Sequence, residues 1–223
     1  MKHPGARSLA LGTCLCLLYI GYELARACSL AMFARSGAAD GLNWACTTCG
    51  SFLLSVVTLA VYGRCVEVFG EGWTLLLSAG GCSVVFLAFA AGLSACDGDS
   101  VVLVAGLFAF RESYVTLVGT QVWALLSAEL KHKGPETSRR WFCLFQGVSC
   151  VCSAFSGMAA GHMATAGGHC YLLLSTALSL AVIAATAALT SADIMGGNTW
   201  GGERELKKKQ NNTSGGLLRV LRQ

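Results

Sequence analysis

Two pairs of opposite charges stand inside otherwise apolar sequence. In the stretch 107–128, LFAFRESYVTLVGTQVWALLSA, Arg111 and Glu112 are adjacent near the start and Gln121 lies further in. About 20 residues rising about 1.5 Å each cover the hydrocarbon of a bilayer, so this stretch is long enough to cross one as a helix. Ionised groups in such a helix are costly and usually face a bundle interior or a watery cavity. Two readings fit Arg111 and Glu112. They could anchor the helix near the membrane surface, or they could serve a buried site. The apolar run 101–110 before them puts them deeper than a snorkelling anchor needs. The first apolar run carries Tyr22, Glu23 and Arg26. Glu23 and Arg26 are three apart, so they share a helix face and can pair, which lowers the cost of burying either. The chemistry on offer is a substrate or coupling site; the alternative is a structural ion pair between helices.

The elements that hold these residues follow from composition. Of the 223 residues, 54% are hydrophobic and 13% charged, with a mean hydropathy of +0.59. Soluble domains carry about 25% charged residues, so the chain belongs to the polytopic membrane class. A net charge of +4, with most basic residues in loops and no patch of them with aromatics, is too small to suggest a nucleic-acid binder. Most of the 12 cysteines fall in apolar stretches, where a thiol behaves as a small apolar group. Cys46 and Cys49 have CxxC spacing, but no second pair or histidine set accompanies them, so neither a metal nor a cofactor is expected. HExxH and GxSxG are absent, and no paired aspartates lie in a span, so an enzyme is not expected. The first apolar run outlasts a signal-peptide core and is followed by five more, and it reads as the first span.

Six spans emerge, at 9–33, 44–62, 73–96, 101–128, 141–163 and 170–190, making a transmembrane domain over 1–194 and a basic, flexible tail over 195–223. Lys2, Arg7, Arg64, Lys131, Lys133, Arg139, Arg140 and the six cations of the tail collect on one side, against Arg35 alone on the other. Positive charge marks the cytoplasmic side, so both termini are expected there, or in the stroma or matrix. Asn211 and Asn212 each begin a glycosylation sequon, but on that side neither should be modified. The stretch 62–70 reads as a short turn with Arg64 and Glu67 as a latch to neighbouring helix ends. Loop 129–140 is the most basic internal loop and holds Arg140. In the fifth span Ser149, Ser153, Gly157 and Gly161 form a small-residue face, which lets two helices approach closely. His162 and His169 read as interfacial, and 97–100 as a solvated acidic turn. Spans one and four each hold a tyrosine with a charge pair, an echo suited to the three-plus-three inverted repeat of secondary transporters.

The set Tyr22, Arg26 and Ala31, then Tyr62-Gly63-Arg64 with Glu67 and Phe69-Gly70, then Trp123, Glu129, Arg139-Arg140-x-Phe142, Gly147, Gly157 and Gly161 resembles the N-terminal half of the ATP/ADP translocase family of intracellular bacteria and plastids. That family is distantly related to the major facilitator superfamily, and the likeness covers about residues 15–165. It implies an all-α, facilitator-like half bundle in the lipid bilayer that exchanges an anionic solute, nucleotides such as ATP and ADP among them, by alternating access. It implies that Arg26 and Arg111 bind phosphate in bidentate fashion, with Glu23 and Glu112 pairing with them when the site is empty. Tyr22 and Gln121 would line the same site. Arg64, Glu67 and Arg140 would be gate or loop residues, and Gly147, Gly157 and Gly161 would pack helices. The family has twelve helices and this chain has six, so a second half or a homodimer would complete it. A membrane scaffold, partner or remnant that keeps the fold without transporting is the other class considered.

Overall fold

A helix satisfies its own backbone, which lipid cannot do, so long apolar runs of this kind become spanning helices. The computed structural model describes residues 4–35, 41–96, 100–131, 133–166 and 168–196. They form six helices and no strand: α1 (Pro4–Arg35), α2 (Gly41–Phe69), α3 (Glu71–Ala95), α4 (Val101–Lys131), α5 (Pro135–Thr165) and α6 (His169–Gly196). Each is long and apolar enough to cross a membrane, so this is a multi-pass membrane protein. The acidic residues 97–99, both sequons and most of the tail lie outside the described residues.

The helices run past the apolar stretches at several ends, and this corrects two expectations. The stretch 62–70 is not a loop: α2 stays helical to Phe69, and the reversal into α3 is made at Gly70, at φ +80°. Gly63 is inside the helix, where a lone glycine weakens a helix without ending it. Likewise α5 begins at Pro135, just after Gly134 at φ +84°, so Arg140 is helical and the loop is only a few residues long. Proline suits the first turn, where its missing N–H has no partner to lose.

Two helices organise the rest. α1 packs on α4, α5 and α6; α4 packs on α1, α2 and α3 and lightly on α5; α3 lies along α6, while α2–α3 and α5–α6 barely touch. Between lipid-embedded helices there is little hydrophobic drive to associate, so close fit and hydrogen bonds do the holding. Small residues supply the fit. Gly12 of α1 faces the Phe145 ring of α5, and Gly21 faces Ser179 of α6, with no room for a Cβ at either. At Gly21 the Thr176 hydroxyl also donates to the Gly21 carbonyl at 3.1 Å, and Ser83 of α3 donates to Ala177 O of α6 at 2.8 Å. Aromatic contacts add to it: Phe33, Trp44 and Phe108 join α1, α2 and α4, and midway along α3 and α4 Phe86 meets Tyr114 edge-on at 4.9 Å.

Candidate functional site

Arg111 is the deepest described cation. Its side chain is 4% exposed on α4, turned toward α1. Nη1 donates to Ser29 Oγ at 2.8 Å, Nη2 pairs with Glu112, and the guanidinium lies 4.4 Å over the Phe108 ring. A cation on an aromatic face in a dry site gains about 2 kcal/mol, which offsets part of the burial. Its Nε is buried without a partner. The Tyr22 hydroxyl donates to Glu112 at 3.3 Å and lies within electrostatic reach of both Arg111 and Arg26.

The α1 pair sits one step round this seam. Arg26 Nε meets Glu23 Oε2 at 2.9 Å, and Glu23 Oε1 accepts from Ser153 of α5 at 3.1 Å. Glu23 is 9% exposed while the Arg26 side chain is 49% exposed, so the carboxylate is the buried member and the cation the open one. Gly157 of α5 makes room for Glu23: a Cβ there would stand 3.2 Å from Oε2. Glu23, Arg26, Tyr22, Arg111 and Glu112 thus form one cluster at the α1–α4–α5 seam.

The structure does not bring the other candidates into it. Gln121 is on α4 about 15 Å further along the axis, ten residues on. It lines a separate pocket with Ser78 of α3. Arg64 and Glu67 pair with each other at 3.8 Å on the last turns of α2, exposed at 87% and 71%, and do not reach a neighbouring helix end as a latch would. Arg140 pairs with Glu136 on its own helix at 2.7 Å, also in the open. Of the three glycines expected to pack, only Gly157 has a neighbour; Gly147 and Gly161 face open space. The side where α1 begins is held by different residues. Arg7 meets Glu129 at 3.5 Å, and Lys133 donates to Ser8 at 2.6 Å while lying over Trp141.

Ser29 and Phe108 were not legible as site residues. Ser29 is seven after Tyr22, on the same face, which is the one signal that could have found it. Among the described residues no group of three metal-ligating side chains occurs. No protein-family model, curated protein or solved structure matches the chain.

Proposed function

We propose that the chain is one six-helix half of a secondary transporter for an anionic solute, working by alternating access, with a second copy or a second half completing the site. The observation that carries this is the polar face shared by α1 and α4. Arg26 and Glu112 reach its surface beside the buried Arg111, and Thr116 and Thr120 continue the line along α4 at four-residue steps. Lipid does not cover such a face cheaply, so protein or a watery cavity must. Arginine is the cation that fits a carboxylate or phosphate with two parallel hydrogen bonds, and Glu23 and Glu112 would release Arg26 and Arg111 to an arriving anion. An anion can drive the change of access only through its different affinity for the two states.

The packing supports a three-plus-three repeat. Exchanging α1 with α4, α2 with α5 and α3 with α6 turns almost every packed pair into another packed pair. The α4–α5 contact is the exception, since its counterpart, α1 with α2, is not a packed pair and has the ring contact of Phe33 with Trp44 instead. The cation distribution supports termini on the cytoplasmic side. A second reading, a membrane scaffold without transport, is favoured by one observation: both arginines are already capped by carboxylates, and Arg111 is shut from the surface.

Liposome exchange separates the two. The purified chain is reconstituted against ATP, ADP, simple phosphate esters and inorganic phosphate, and its oligomeric state is measured by light scattering. The transport reading expects saturable exchange, lost in Arg111→Ala, partly kept in Arg111→Lys, and raised in KM by Arg26→Ala. A folded dimer that exchanges none of these solutes would hand the chain to the scaffold reading.

A further inference from the structure

A pocket of about 230 Å³ opens between α2, α3 and α4, away from the charge cluster. It is lined by Thr58, Val61, Leu77, Ser78, Leu117 and Gln121, with Tyr62, Cys65 and Thr74 beside them, and none of these is charged. Two of the lining hydroxyls are spent on backbone carbonyls one turn back: Thr58 donates to Leu54 O at 2.6 Å and Thr74 to Gly70 O at 2.7 Å. Gln121 differs. It is 1% exposed, its Oε1 accepts from Ser78 at 2.5 Å, and its Nε2 has no partner. Turning the amide over would give Ser78 one N–H and still strand the other, since an amide nitrogen carries two. A buried amide donor left unpaired costs about 1–3 kcal/mol, so a partner from outside the chain is the economical explanation.

What that partner is follows from where the pocket lies. Val61 and Leu77 are 56% and 55% exposed, so its mouth faces outward through the loose α2–α3 contact, into lipid. Leu77 and Ser78 are about 10 Å from the Gly70 reversal, on a helix of about 37 Å that overshoots a hydrocarbon layer of about 30 Å. Shared between the two ends, that overshoot puts Ser78 about one helical turn inside the headgroup boundary, which the exposed Trp73 marks from the turn before it. At this level a bilayer offers apolar chains ending in ester carbonyls, which accept hydrogen bonds and carry no charge. We propose that this pocket is a lateral glycerolipid site, in which an acyl chain fills the space beside Val61, Leu77 and Leu117 and its ester carbonyl accepts from Gln121 Nε2.

The test uses the full chain in liposomes containing phosphatidylcholine with a diazirine near the head of one chain, linked either by an ester or by an ether that lacks the carbonyl. Labelled residues are mapped by mass spectrometry, with Phe155 of α5, which is 69% exposed, as the reference for ordinary lipid contact. The ester probe should enrich Val61, Leu77 and Leu117 over Phe155 by about fivefold, the worth of one ordinary hydrogen bond. The ether probe, and the ester probe on Gln121→Leu, should both lose that enrichment, and Leu117→Trp should block the pocket while Phe155 labelling stays. Equal labelling of pocket and reference would overturn the site, as would an enrichment that either the ether linkage or Gln121→Leu leaves unchanged. If free phosphate or a free nucleotide displaced the label, the pocket would belong to a solute instead.

Discussion

Glu112→Gln leaves the Arg111 guanidinium buried without its counter-charge, whereas Glu23→Gln leaves behind a cation that already reaches the surface. The first change should lower stability by about 1–3 kcal/mol and the second by under about 1 kcal/mol. Thermal melting in detergent checks the order, and equal losses would mean that Arg111 is not as enclosed as described. Gly157→Ala should cost about 1 kcal/mol because its Cβ would crowd Glu23 Oε2. That penalty should vanish when Glu23 is also alanine, a coupling that a double-mutant cycle reads directly. The Glu23–Arg26 pair was legible in the sequence, because a spacing of three along a helix fixes a shared face, whereas adjacency alone does not face Arg111 to Glu112. Their partners Ser29, Phe108 and Ser153 come from other turns and other helices. Rotation about a helix axis decides those contacts, and composition does not record it.

Among the helices, glycine gives a sharp contrast. Gly21→Ala should cost about 1–3 kcal/mol, since the new Cβ meets the Ser179 hydroxyl at the α1–α6 contact. Gly63→Ala should be neutral or stabilising by about 0.5–1 kcal/mol, because it is helical with nothing near it. Gly70→Ala should lose about 1–2 kcal/mol, since a side chain resists φ +80°. A loss at Gly63 matching that at Gly70 would restore the turn at 62–70. The number of helices was legible, because runs of about 20 apolar residues have few other uses. Their ends were not, because hydropathy marks only the part that crosses hydrocarbon, and α2 and α5 go on turning into the headgroup zone. Nor was their packing. In lipid both the buried and the outward faces are apolar, so no amphipathic stripe says which side meets a neighbour.

At the scale of the whole molecule, the proposed function has both ends of the described chain on the cytoplasmic side, because six spans are an even number and most lysines and arginines collect with the termini. A reporter fused to either terminus should therefore be shielded from an impermeant reagent added outside intact cells, and labelling of just one terminus would break the even count of spans. The polar α1–α4 face should likewise draw two copies together. Cross-linking between single cysteines placed at Thr116 and Thr120 of separate chains would reveal such a pairing, and a strictly monomeric protein would leave the face to a different partner.

Both arginines of the cluster carry a carboxylate on their own helix, Glu23 three residues before Arg26 and Glu112 next to Arg111. This bears on how the chain is made. α1 packs against α4, α5 and α6, all of which leave the ribosome after it, so it must wait in the membrane with its charges in place. An arginine that needed a later helix for its counter-ion would be stranded during that wait. Here each of these two pairs enters the bilayer already neutralised, and the neighbouring helices add hydroxyls and a ring to them. The biogenesis of each charged span is thereby uncoupled from the order of assembly.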